Sequence, residues 1–119
     1  MTNTAGPPHL RLAKIMGIAW LPFNESSLIH VGSEAWVYDL SKTEEAASFL
    51  FGHFIPEMSS RGFPRWFANV TAEKYCFYFE ALPIEGTNLC GVGYGFTLIS
   101  AALMAAERVL IMKEIERKW

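Results

Sequence analysis

The chain of 119 residues is 51% hydrophobic and 18% charged, with 12 acidic and 10 basic side chains. That length suits one domain with a core that needs no staples, and a formal charge of −2 lacks the broad phosphate attraction of a basic nucleic-acid binder. It is also far from the acidity of a nucleic-acid mimic, and two cysteines, Cys76 and Cys90, complete neither a disulfide framework nor a zinc site by themselves.

Residues 1–8 read as a flexible leader and 9–119 as a single domain. Met-Thr-Asn-Thr-Ala-Gly-Pro-Pro lacks the basic-then-apolar order of a secretory signal, so the expected location is the cytoplasm, with both thiols reduced. Pro7 and Pro8 suit a helix start, where a missing N–H costs nothing, and the first helix is expected over His9–Met16 with Gly17 as its stop. Residues 18–38 mix aromatics with Pro22, Gly32 and small polar residues; they read as irregular, with one short strand near Ala35–Tyr38. Ser41-Lys42-Thr43-Glu44 is a capping-box pattern that opens a second helix, with Ala46, Leu50, His53 and Phe54 at helical spacing. Pro56 predicts a kink and Gly62 the end of that segment.

Period-two alternation then predicts a hairpin: Trp66, Ala68 and Val70 on one strand, and Tyr75, Phe77, Phe79 and Ala81 on the next, joined near Ala72–Lys74. The second strand should end before Pro83, with a turn at Gly86 and Asn88. Leu89–Gly93 is a further short strand weakened by its glycines. The last helix is the clearest element. Thr97 is a good N-cap, and Leu98–Lys118 is rich in alanine, leucine, methionine and glutamate without glycine or proline. Its upper half is apolar nearly all round, which predicts burial on more than one side and self-association, so a homodimer is expected. Glu114 is placed to pair with Lys118. The run Leu98–Met112 is interrupted by Ser100, Glu107 and Arg108 and is shorter than the roughly 20 apolar residues of a membrane span, so no membrane partner is expected.

Chemistry-bearing patterns are sparse. The run Cys90-Gly91-Val92-Gly93-Tyr94-Gly95-Phe96-Thr97 enters the last helix, and bare amides at a helix N-terminus can hold an anion. Gly91, Gly93, Gly95 and Thr97, with Arg65, are therefore the candidate residues for a nucleotide or other anionic ligand. The run matches no dinucleotide or phosphate-loop pattern, and its plainer reading is a turn in which glycines let backbones pass closely. His9, His30 and His53 have no partner at ligand spacing, so no metal is expected. No serine sits in a nucleophile elbow, Cys76 reads as a core thiol, and no cofactor or catalytic residue is assigned. Aromatics make up 14% of the chain. Trp66, Tyr75 and Tyr78 are the candidates for a protein-interaction surface, against the plainer reading that they pack the sheet on a helix. Without a basic stripe, nucleic acid is not an expected partner.

Leu10-Arg11-Leu12-Ala13-Lys14-Ile15-Met16-Gly17 followed by Trp20 resembles the "Ala-x-x-Val-Met-Gly-Trp" opening of small phage and prophage proteins. Asp39–Met58 with Arg61-Gly62-Phe63 and Trp66 looks like their helix–strand junction, and Thr97–Ala105 resembles the "Ala-Ile-x-x-Ala-Ala-Leu" helix that closes them. The family is the phage ABA sandwich domain, and the likeness spans most of residues 10–112. It implies an α/β (α+β) fold: a small, mainly antiparallel sheet layered between helices, with the long C-terminal helix packed on it. It also implies a phage- or prophage-encoded accessory protein. With no catalytic spacing, the expected role is non-enzymatic binding of a host or defence-system protein.

Overall fold

A computed structural model describes residues 6–32, 35–70, 74–80 and 89–117. The fold is α+β, with two small antiparallel sheets of three strands each. Where one sheet was expected, each of two compact units, Met1–Phe54 and Ile55–Trp119, holds its own. The turns expected around Ala72 and at Gly86 with Asn88, the stop at Pro83 and the partner Lys118 lie outside the described residues.

The first unit opens with helix α1 (Pro8–Met16), which has proline in its first turn and buries Leu12, Ile15 and Met16. It ends as expected at Gly17, whose φ of +95° suits a residue without Cβ. The strand expected near Ala35–Tyr38 is β3 (Ala35–Asp39), and the irregular residues before it add β1 (Trp20–Phe23) and β2 (Ser27–Val31), the three pairing in chain order as a meander. Two features hid it. Its strands are only four or five residues long, and Pro22 sits within one. The Val31 N–H donates to the Ala19 carbonyl at 2.8 Å, so odd-numbered residues of β1 bond to β2 and Pro22 faces the open edge, where its missing N–H does no harm. Asn24 turns the first hairpin at φ +48°, and its Oδ1 accepts from the Ser26 N–H at 3.0 Å.

Helix α2 (Thr43–Phe49) does not use the expected capping box. Lys42 is its N-cap and makes no side-chain cap bond. Asp39 competes for the serine: its Oδ1 accepts from the Ser41 hydroxyl (2.7 Å), the Ser41 N–H (3.0 Å) and the Ser26 hydroxyl (2.9 Å). Glu45 rather than Glu44 reaches back, and its Oε1 accepts from the Asp39 N–H at 2.9 Å. The break expected at Pro56 takes the form of a π-helical turn over Leu50–Phe54, after which α3 (Ile55–Ser60) begins. A proline ring collides with the carbonyl four residues back, here Gly52, and a widened turn moves that carbonyl aside.

In the second unit α3 ends in a Schellman motif. Phe63 N–H donates to the Met58 carbonyl (2.9 Å), Gly62 N–H donates to the Ser59 carbonyl (3.1 Å), and Gly62 has φ +104°. The expected hairpin is β4 (Arg65–Val70) and β5 (Tyr75–Glu80), with Ala68 opposite Phe77. The short strand expected over Leu89–Gly93 is β6 (Cys90–Gly95), which also takes in the part of the glycine run expected as a turn, and it pairs with β5. Helix α4 (Leu98–Arg117) then packs back over β6 and β5. Thr97 caps it as expected: its Oγ1 accepts from the Ser100 N–H at 3.1 Å.

The glycines set how closely α4 can lie. A Cβ on Gly93 would overlap the Ala101 carbonyl oxygen and the Ala105 nitrogen, and one on Gly91 would sit 2.8 Å from the Val109 nitrogen. Gly52, by contrast, has nothing within 4 Å of such a Cβ. Gly93→Ala should therefore destabilise the protein by about 3 kcal/mol or more through overpacking. Gly52→Ala, in an open helical position, should stabilise it by about 0.5–1 kcal/mol. Urea unfolding of the two variants checks both signs.

Candidate functional site

The residues proposed for an anion do not converge. Tyr94 N–H donates to Met104 Sδ (3.5 Å) and the Val92 carbonyl accepts from Arg108 Nη1 (2.9 Å), so these groups face away from β5. Antiparallel partners alternate between pairs that exchange both backbone bonds and pairs that exchange none. The exchanging pairs are then Gly91 with Phe79, Gly93 with Phe77 and Gly95 with Tyr75, so the glycine amides are committed to the sheet. On their side-chain face α4 backbone fills the space. Arg65 shares a rung with Glu80 and Cys90 at the start of β6, while Thr97 follows its far end. Arg65 Nη1 lies 3.8 Å from Glu80 Oε1 on the sheet face away from α4.

The aromatic candidates are also separated. Register places Trp66 and Tyr75 on the glycine side of the sheet and Tyr78 on the other. Trp66 stacks on Phe77, with ring centroids 5.8 Å apart, which is a packing role for a partly exposed ring. Burial, then Cys90 and Glu80 alongside, push the Tyr78 phenol upward, so it stays protonated at neutral pH. The α4-distal face of this sheet mixes Arg65, Glu80 and Asn69 with Phe67, Val92 and Tyr94, and Lys74 sits over the Tyr94 ring at 5.4 Å. A pocket of 270 Å³ beside α4 is lined by Arg61, Leu110, Lys113 and Glu114. Both of its cations are engaged, Arg61 Nε with Glu57 at 2.9 Å and Lys113 Nζ with the Arg61 carbonyl at 2.6 Å.

Sequence spacing missed what the first sheet gathers. On its even-numbered face, Trp20, His30 and Tyr38 meet Phe49 and His53 from the following helical segment. Trp20 stacks on His30 with centroids 4.4 Å apart, the two imidazoles are 5.5 Å apart, and the Tyr38 hydroxyl is 2.8 Å from His53 Nε2. Among the described residues no third metal-ligand side chain joins the histidines, so the pair alone cannot close a tetrahedral centre.

The odd-numbered face of the same sheet is different. Leu21, Ile29 and Val37 share one rung, Val31 and Ala35 the next, and Phe23 lies at the end with Ser27 and Asp39. Leu21, Phe23, Val31 and Val37 are each 43–51% exposed. Five large apolar side chains on three adjacent strands, polar only at one end, form a surface that water disfavours. This patch was invisible in the sequence because β1 and β2 were not recognised; the alternation Leu21, Phe23 and Ile29, Val31 is their signal.

No family model matches the chain, and no curated protein or solved structure shows significant similarity to it. Among the described residues no helix is long and apolar enough to cross a membrane.

Burial first, and the positive field of His30 second, hold His53 below the ordinary histidine range, so its neutral form is the one the fold prefers. A histidine whose folded value is depressed adds stability that is complete above the unfolded value of about 6.5 and is lost as pH falls from there to the folded value. In an NMR titration His53 should titrate below a model peptide. His30→Gln should move it only part of the way back, because burial persists.

Proposed function

We propose that this protein is a non-enzymatic binding module that docks a partner protein on the odd-numbered face of its first sheet. The observation that carries this reading is the contiguous patch in which exposed Leu21, Phe23, Val31 and Val37 surround a part-buried Ile29. The same sheet is secured on its even-numbered side by Phe49 and the Tyr38–His53 hydrogen bond, so the patch sits on a rigid support. Rigid apolar surfaces lose little entropy on binding and supply the desolvated centre of an interface. The resemblance to phage ABA sandwich proteins supports a phage accessory role in the bacterial cytoplasm, with a host or defence-system protein as partner. The apolar surroundings of α4, with Ile111 and Met112 exposed, support self-association into a homodimer.

The test is affinity capture from bacterial lysate with the wild-type chain and with Leu21→Asp/Val37→Asp. Both positions are exposed, so the fold should tolerate the change within about 1 kcal/mol. The reading predicts one stoichiometric protein partner whose affinity falls about tenfold or more in the double variant. Equal capture by both proteins, or none by either, would contradict it.

A further inference from the structure

The two edges of the first sheet are finished differently. At β1 the outward positions are Trp20, whose N–H donates to the Gly17 carbonyl at 3.1 Å, and Pro22, which has no N–H. Odd-numbered residues of β2 bond to β1, so Leu28 and His30 bond to Tyr38 and Trp36 of β3. The peptide groups of Ala35, Val37 and Asp39 therefore point out of the sheet. Those of Asp39 are taken: its N–H donates to Glu45 Oε1 at 2.9 Å, and its carbonyl accepts from the Lys42 N–H at 3.0 Å. Among the described residues nothing bonds to the peptide groups of Ala35 or Val37.

The side chain between those two open positions is also unpartnered. Trp20 and Trp66 each stack on another ring. Trp36 is 57% exposed, and among the described residues it meets no ring and its indole N–H has no acceptor. Edge strands that stay solitary carry proline, lysine, bulges or inward charges. β3 reads Ala-Trp-Val-Tyr-Asp, and its one charge lies at the end already closed by α2.

We infer that β3 pairs antiparallel with β3 of a second copy of this chain about a two-fold axis at Trp36, joining two three-stranded sheets into one of six. The inference rests on the self-association proposed above and names the surface that makes it. About that axis Val37 lies opposite Ala35 of the second copy, and Ala35 opposite its Val37. These are two bonded pairs, and they use all four open donors and acceptors. The two Trp36 residues meet at the axis as a pair that exchanges no backbone bonds, the closer kind of rung, where aromatic side chains pack on one another. An axis at Val37 instead sets each Ala35 against an Asp39 whose groups are engaged, so the register is fixed at Trp36. A foreign strand can satisfy the four backbone groups, but only a second copy brings an identical indole to the centre. The pairing also places the two odd-numbered faces on the same side, so the apolar patches become one continuous surface.

The experiment is sedimentation velocity on the full chain over a concentration series, alongside Ala35→Pro and Trp36→Lys, with circular dichroism to check folding. Both substitutions leave Leu21 and Val37 in place, so they test this edge apart from the docking patch. Wild type should shift with concentration toward twice 13.4 kDa. Ala35→Pro removes an outward donor at the first residue of the strand, and Trp36→Lys opposes two charges at the axis. Each should weaken the dimer by about tenfold or more. Trp36→Lys decides the matter if Ala35→Pro fails to fold. In a Cys76→Ser/Cys90→Ser background, Trp36→Cys at high protein concentration should give an oxidised covalent dimer, because such a pair lies about 4.5 Å apart at Cα, within disulfide range. Ile18→Cys, 98% exposed before the β1 edge, should not. A wild type that stays monomeric throughout overturns both the edge pairing and the self-association, and leaves the edge to a foreign strand. A dimer indifferent to both variants, with no Trp36→Cys crosslink, overturns the edge pairing alone.

Discussion

Everything in the second unit depends on one close contact, the backbone of α4 lying directly on the glycines of β6. A strand advances about 6.7 Å over two residues and a helix about 6.0 Å over four. Glycines at 91, 93 and 95 therefore keep step with Val109, Ala105 and Ala101 along a helix running the opposite way. Small side chains on the helix, and glycines without any on the strand, bring the two backbones to a distance that no Cβ would permit. Phe77 and Phe79 on the neighbouring strand are fully buried on that same glycine face, and the sheet's other edge is left as β4.

This contact also explains how far the sequence could be read. The glycine run reads as a weak strand over Leu89–Gly93 and as a turn with ligand potential before the helix, because glycine has low strand propensity and the motif enters a helix. Nothing local announces that alanines four apart will land on it. Elements whose signal is local were legible: α1 with its proline start, the aromatic hairpin, the Thr97 cap and the Gly62 stop. The break at Pro56 was legible as a break, though a π-helical turn is not deducible from a proline alone. Ser41 failed as a cap because Asp39, two residues earlier, bonds it more tightly.

The most consequential gap lies before the strand at Ala35–Tyr38, in the residues that form β1 and β2. Short strands with a proline at the edge look irregular in one dimension, and only pairing shows that Leu21, Ile29 and Val37 are neighbours. The π-helical turn that meets this sheet then brings the His53 ring within 5.5 Å of His30, a residue far from it in the chain. The two faces of that sheet then divide the work. One buries aromatic rings and holds a neutral imidazole against a phenol, and the other presents aliphatic side chains to solvent. An apolar face kept exposed on a rigid sheet is a feature that folding alone does not require, which is why the functional proposal rests there.

The most direct test of this account is amide hydrogen exchange on the native protein, resolved by residue. If β6 is a strand clamped beneath α4, the amides of Gly91, Gly93 and Gly95 exchange as slowly as that of Phe77, near the rate set by global unfolding. If they exchange at the rate of an open loop, the clamp does not exist, and the glycine run returns as a free, amide-lined turn before the helix.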